Sequence, residues 1–218
     1  MTLLLIRHGQ SVTNLSNTFA GQWAEVELSP LGYRQAQAAA DYIAARYDVD
    51  VIYSSDLTRA IQTAMPLSIA CSTPVLLDRE LREINVKKWQ GRDYGWIAAH
   101  YPGEYAVYKN DFGRFQVAGC ESTVQMTERI MRALRHIADE HSDEGCSSRT
   151  VAVFTHATTL RAANCVLRGI APEKMNTVPF PGNASITEVK YDGARFELVF
   201  ADKTDYLGDM CSTLEPEA

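Results

Sequence analysis

No apolar run in this 218-residue chain is long enough to cross a bilayer, and the opening stretch Met1–Ile6 is too short for the hydrophobic region of a signal peptide. Cysteine is sparse and irregularly placed. The five residues at positions 71, 120, 146, 165 and 211 form no Cys-x-x-Cys pair and no Cys/His spacing suited to zinc, so free thiols are expected and no metal ligand set is read. Positive charge is in deficit, with 21 Lys and Arg against 27 Asp and Glu, a formal net charge of −6. Nonspecific nucleic-acid binding needs a basic surface to displace counterions, and that is excluded here. The chain is expected to be cytoplasmic, to bind neither membrane nor nucleic acid, and to build any anion site locally. No internal repeat, low-complexity tract or interdomain linker is visible.

What is present is enough apolar material for one compact domain, since 46% of the residues are hydrophobic. Residues 2–6 (TLLLI) and 150–155 (TVAVFT) are short, wholly buried-looking strands that stop abruptly at Arg7-His8-Gly9 and at His156. Strands are also expected at 50–53 and 74–77, and a pair at 185–190 and 195–201 around an Asp192-Gly193 turn. Ser29-Pro30 caps a helix over 31–46. Ser54-Ser55-Asp56 offers caps for a second helix through Arg59 to about Cys71, interrupted or kinked near Pro66. A third helix covers 122–141 and ends at Asp143-Glu144-Gly145, and a fourth runs through Leu160 and Leu167 to Gly169. The acidic tail after Asp205 has no packing pattern. The alternation of strands and helices predicts an α/β fold, a three-layer open, mostly parallel sheet with helices on both faces. Residues 89–120, rich in Trp, Tyr and Phe, read as a cap-like insertion in a single 1–218 domain.

In such a sheet, ligands bind at the carboxyl ends of the strands. Arg7, His8 and His156 end strands there, and Arg59 falls in the first turns of the helix after the second strand. Guanidinium groups grip phosphate oxygens bidentately and a neutral imidazole is a competent nucleophile, so the set suits phosphoryl transfer through a phosphohistidine.

The segment Leu5-Ile6-Arg7-His8-Gly9-Gln10-Ser11, with Asn14 after it, resembles the signature of the histidine phosphatase superfamily, the phosphoglycerate mutase-like family. The likeness continues through Leu28-Ser29-Pro30-Leu31-Gly32, Ser54 to Ala60, Leu81-Arg82-Glu83-Ile84, Glu121-Ser122, Thr155-His156 and Asn183-Ala184-Ser185. It implies a phosphoglycerate mutase-like fold and a metal-independent, cofactor-free phosphomonoester phosphatase. By the same resemblance, His8 is the nucleophile, Arg7 and Arg59 bind the phosphoryl oxygens, and His156 adds a hydrogen bond to them. Glu83 is the proton donor, Asn14 helps contact the phosphoryl group and Asn183 supports the pocket. The sequence departs from the family at Ala157, where glycine is usual, at Lys87-Lys88-Trp89-Gln90-Gly91, and at Cys120 before Glu121-Ser122.

A phosphoglycerate mutase-type transfer is the alternative activity, disfavoured because Ile84, Asn85 and Val86 replace the mutases' residues after the acid glutamate. Lys87 and Lys88 are candidates to hold a substrate carboxylate or second phosphate. A noncatalytic phosphoryl-binding module is the third reading, against which stand both nucleophile and acid. The partner is a small phosphorylated metabolite of unidentified leaving group, and a homodimer is left open.

Overall fold

The computed structural model describes residues 1–142 and 149–211. The expected helix stop at Asp143-Glu144-Gly145, Cys146 and the end of the acidic tail lie outside the described residues. In chain order the elements are β1 (Thr2–Arg7), α1 (Val12–Leu15), α2 (Pro30–Ala44), β2 (Val51–Ser54), α3 (Thr58–Cys71), β3 (Val75–Leu77), α4 (Tyr94–His100), α5 (Pro102–Asn110), α6 (Thr123–His141), β4 (Thr150–Thr155), α7 (Ala157–Leu167), β5 (Ile186–Tyr191) and β6 (Phe196–Lys203). Short 3-10 turns lie at Arg79–Leu81, Phe112–Arg114, Pro172–Thr177 and Asp205–Met210.

The six strands form one sheet in the order β3-β2-β4-β1-β5-β6. The first four are mutually parallel, whereas β5 runs antiparallel to β1 and β6 antiparallel to β5. Every residue of β1 and β4 is buried, because side chains alternate between two covered faces. Leu4, Ile6, Ala152 and Phe154 pack against Ala40 and Ile43 of α2 and Ala64 and Leu67 of α3. Leu3, Leu5, Val151 and Val153 pack against Ile130, Leu134 and Ile137 of α6 and Leu160 and Ala163 of α7. Each such Leu or Ile contributes roughly 1.5–3 kcal/mol by leaving water, so the central strands are the best-anchored part of the chain. Their carboxyl ends, where the register places Arg7 beside Thr155, inherit that rigidity.

Two glycines bring α2 up against the β1 loop. A Cβ on Gly32 would stand 2.0 Å from the Gln10 carbonyl oxygen, and one on Gly9 would stand 2.6 Å from that of Gly32. The start of α2, capped by Ser29 Oγ accepting from the Gly32 N–H, therefore seats directly under the segment that follows His8.

Three local expectations need correction. Helix α3 begins after Leu57, which supplies no side-chain cap, because Ser55 and Asp56 are engaged elsewhere. Pro66 lies inside α3 without interrupting it, at the cost of one helical hydrogen bond. The tail does pack as far as Met210: Leu207 is buried, the Tyr206 hydroxyl donates to the Ala184 carbonyl, and the Met210 carbonyl accepts from Gln35. Between 89 and 120, Trp89, Tyr108, Phe112 and Phe115 join Phe19, Met126 and Met175 in a cluster of their own beside the strand ends.

Candidate active site

The carboxyl ends of β1 and β4 and the start of α3 bring Arg7, His8, Arg59 and His156 into one buried group. The rings of His8 and His156 are 5.2 Å apart. His8 Nδ1 lies 2.7 Å from the Gly9 carbonyl oxygen, which can only accept, so Nδ1 carries the proton and Nε2 keeps its lone pair. Burial, followed by the nearby Arg59 and Arg7 guanidiniums, holds the His8 imidazole well below the usual histidine range. His156 is shifted the same way by burial and Arg59. Its Nε2 is 2.8 Å from Ser55 Oγ, while Nδ1 is buried with no protein partner.

Both arginines are pinned by backbone carbonyls. Arg7 Nη1 donates to Pro181 at 2.5 Å, and Arg59 donates through Nη2 to Gly21 at 2.8 Å and through Nη1 to Trp23 at 3.1 Å. The Nε of each is buried without a protein acceptor. Burial brings each guanidinium down to about 10, still a cation at neutral pH. Thr63 ties the two elements together, its hydroxyl donating to the Arg59 carbonyl and accepting from the Gly9 N–H.

Glu83 enters from the segment after the Arg79–Leu81 turn. Its Oε1 accepts from the Ile84 N–H at 2.8 Å, from the Thr159 hydroxyl at 3.1 Å and from the Thr158 hydroxyl, and its Oε2 from the Thr158 N–H at 3.1 Å. The two hydroxyls can donate to a carboxylate or accept from a carboxylic acid, so this shell serves either protonation state. Asn14 sits in α1, where its Oδ1 accepts from the Ser11 N–H at 3.0 Å, and Asn183 Nδ2 reaches the His8 carbonyl at 3.3 Å and Asn14 Oδ1 at 3.4 Å.

Arg7, His8, Asn14, Arg59 and Glu83 all line one cavity of about 130 Å³, together with Tyr94, Tyr108 and Phe180. His156 does not line it, although its ring lies 5.2 Å from that of His8. Lys87 and Lys88, read as candidates for a substrate carboxylate or second phosphate, do not line it. Both are exposed, and Lys88 donates to the Ala118 carbonyl at 2.8 Å. Within 89–120, Trp89 sits in the aromatic cluster, while Tyr94 and Tyr108 line the cavity.

Sequence reasoning missed the hydroxyl pair Thr158-Thr159. Their position in the first turn of the helix after His156 was the available signal. Ser55 was read as a helix cap but holds His156. Glu121 and Arg129 were also missed in their joint role: Arg129 pairs with Glu121 at 2.7 Å and donates to the carbonyls of Glu80, Arg82 and Glu83, clamping the segment that carries Glu83.

A cationic, buried cavity with a lone-pair imidazole and a carboxyl group can take up a phosphoryl group, exchange it with nitrogen and move a proton. Residues 3–204 match the model of the histidine phosphatase superfamily (branch 1). A glucosyl-3-phosphoglycerate phosphatase from Mycolicibacterium vanbaalenii is 33% identical over 185 residues, covering 84% of this chain and 81% of the relative. A metal-independent phosphoserine phosphatase from Arabidopsis thaliana is 32% identical over 162 residues, covering 73% of this chain and 66% of the relative. The solved structure of a mycobacterial glucosyl-3-phosphoglycerate phosphatase with VO3 superposes with a TM-score of 0.82 at 28% identity, covering 93% of this chain and 99% of that one. The chain belongs to the histidine phosphatase superfamily. Within it the chain is a phosphatase, a hydrolase of phosphoric monoesters.

Proposed function

We propose that the chain hydrolyses a small phosphomonoester in two steps through a phosphohistidine on His8, without a metal. His8 Nε2 attacks phosphorus in line, the N–P bond forms as the ester P–O bond breaks, and the leaving oxygen takes the proton of Glu83. Water then attacks the phosphohistidine, giving a proton to the Glu83 carboxylate as the N–P bond breaks and inorganic phosphate departs. Arg7, Arg59 and Asn14 hold the phosphoryl oxygens and the two guanidiniums offset their charge, while His156, off the cavity wall, stands beside the nucleophile. The observation that carries this reading is the His8 Nδ1 contact with the Gly9 carbonyl, which leaves Nε2 unprotonated in the cavity that also holds Arg7, Arg59 and Glu83.

The cavity is small beside the roughly 300–1,000 Å³ of drug-sized sites. Beyond Arg7, His8 and Arg59 its described lining adds no further basic residue, and it includes Tyr94, Tyr108 and Phe180. We take the substrate to be the phosphate ester of a small hydroxy or amino acid, in keeping with relatives named for phosphoglycerate and phosphoserine derivatives. Hydrolysis is preferred to mutase transfer because Lys87 and Lys88 stand off the cavity, so neither is placed there to hold a second phosphate. The whole chain acts as one catalytic domain with 89–120 as its cap, in the cytoplasm and on metabolites rather than nucleic acid. All the named groups come from one protomer, so a homodimer would not be required for turnover.

The test is acid-quench trapping in EDTA. Wild-type protein mixed with a phosphomonoester should carry acid-labile phosphate, and folded His8→Ala should carry none and turn over nothing. Substantial residual turnover by His8→Ala would overturn the assignment. Glu83→Gln should slow phosphohistidine formation far more for an alkyl ester than for an activated aryl ester, and equal slowing of both would remove Glu83 as the proton donor.

A further inference from the structure

One stretch of the cavity wall has few means of holding itself in place. Val178-Pro179-Phe180-Pro181 contains two prolines, which have no N–H to give, so Phe180 carries the one backbone donor between Val178 and Gly182. Such a stretch cannot join a sheet ladder and has its carbonyls and its ring to offer. Two arginines take them up. The Pro181 carbonyl accepts from Arg7 Nη1 at 2.5 Å and the Val178 carbonyl from Arg161 Nε at 2.7 Å. The Phe180 ring, which lines the cavity, has its centre 4.2 Å from the Arg161 guanidinium carbon.

Arg161 belongs to the middle of α7, is buried and does not itself line the cavity. Among the described residues it has no carboxylate at ion-pair distance, and its guanidinium instead meets the rings of Phe180 and, at 5.7 Å, Phe112. A cation at these distances from a ring is attracted to it, and the more so where water is excluded. Arg161 therefore fixes the ring as well as the carbonyl. The earlier part of the same loop is tied to the cap. A Cβ on Gly113 would stand 1.9 Å from the Pro172 carbonyl oxygen, and the Asn176 side chain accepts from the Phe112 N–H at 2.9 Å and donates to the Lys109 carbonyl at 3.0 Å.

The two arginines of the cavity differ in what they lean on. Arg59 donates to two carbonyls, those of Gly21 and Trp23, whereas the Pro181 carbonyl is the one hydrogen-bond acceptor of the Arg7 guanidinium among the described residues. We infer that Arg161 is a positioning residue for the hydrolysis: through Val178 and Phe180 it sets the Pro181 carbonyl, and through that carbonyl it aims the Arg7 guanidinium, while Arg59 is held independently. The inference rests on reading Arg7 as a donor to phosphoryl oxygens.

A double-mutant cycle on kcat/KM for an activated aryl phosphate tests it. Arg161→Met should lower kcat/KM by roughly 10-fold or more, because misplacing a clamp by about an ångström is enough. The same substitution should cost less than about 2-fold when Arg7 is already replaced by methionine, since the group it aims is gone, and should keep its full cost beside Arg59→Met. The inhibition constant of inorganic phosphate should rise in the same pattern, which a loss of folding stability alone does not produce. An unchanged kcat/KM in Arg161→Met overturns the proposal. Equal losses in the Arg7→Met and Arg59→Met backgrounds also overturn it, by making Arg161 a general support of the fold. Arg7→Met by itself reports on the underlying reading: if it loses activity while Arg161→Met does not, the positioning role alone falls, and if it loses none, the reading and the proposal fall together. If Arg161→Met does not fold, Arg161→Gln, which keeps a donor and gives up the cation, takes its place in the same cycle with the same outcomes.

Discussion

Two groups of arginines lie on either side of the segment that carries Glu83, and they are treated in opposite ways. On the outer side, Arg129 spends its donors fully, with Nε and Nη2 on the Glu121 carboxylate and Nη1 and Nη2 on the carbonyls of Glu80, Arg82 and Glu83. Arg82 beside it holds Asp56 through two bonds of 2.6 and 2.7 Å. On the inner side, Arg7 and Arg59 are more deeply buried, yet among the described residues neither has a carboxylate partner at ion-pair distance and each keeps a buried Nε without an acceptor. A buried cation that the fold leaves unneutralised is costly, and such groups persist where an anionic ligand completes them. The comparison separates charge that builds the site from charge that, under the proposed function, holds the phosphoryl group.

Replacing an inner arginine should break the chemistry and largely spare the fold. Arg7→Met and Arg59→Met should each lower kcat/KM by about 10²–10³-fold, the loss of about 3–4 kcal/mol expected when one donor to a developing oxyanion is removed. Steady-state kinetics with an activated aryl phosphate checks this, and nearly unchanged kcat/KM in either would take that residue out of the phosphoryl clamp. Melting of the same variants should show a smaller loss, since only carbonyl contacts and an uncompensated charge disappear.

The outer group should respond the other way round. Arg129→Met strands Glu121 and releases three carbonyls, and because the pair is largely but not wholly buried the expected loss is about 3 kcal/mol of folding stability. Pairing it with Glu121→Gln should recover part of that loss. Denaturant unfolding measures both. If Arg129→Met unfolds like the wild type, the clamp on the Glu83 segment is not a stabilising one.

The sequence was most readable where one physical signal had one meaning. Unbroken apolar runs such as TVAVFT can only be strands buried on both faces, and their ends located Arg7, His8 and His156 correctly. Ser29-Pro30 likewise marked the start of α2. Legibility failed where one residue type has two uses. Ser55 and Asp56 look like helix caps by composition, but the first holds His156 and the second holds Arg82, choices made by partners far along the chain. Lys87 and Lys88 looked available to a substrate because charge shows in sequence while direction does not. The tail beyond Asp205 looked unpacked because Tyr206 and Leu207 find their contacts on α2 and the Ala184 segment, distant in sequence.

The smallest expected effect concerns the two histidines, and its sign follows from the same charge imbalance. Burial and the inner arginines hold His8 and His156 well below the ordinary 6.5 in the folded chain, while the unfolded chain titrates near that value. Below pH 6.5 the unfolded state therefore binds more protons, so the stability due to these groups is complete above 6.5 and is lost as the pH falls toward their folded values. The slope cannot exceed about 1.4 kcal/mol per pH unit for each histidine. Urea unfolding at pH 7.5, 6.5 and 5.5 should show the wild type weakening over the lower interval, and His8→Asn should weaken by up to about 1 kcal/mol less over it. Activity should part company with stability, because His8 remains an unprotonated nucleophile where the fold is already losing free energy. An activated aryl phosphate should thus keep its kcat/KM below pH 6.5 once its own ionisation is allowed for. Equal pH slopes for wild type and His8→Asn would mean that the arginines do not hold His8 neutral, and the contrast between spent and unspent guanidiniums would lose its link to the nucleophile.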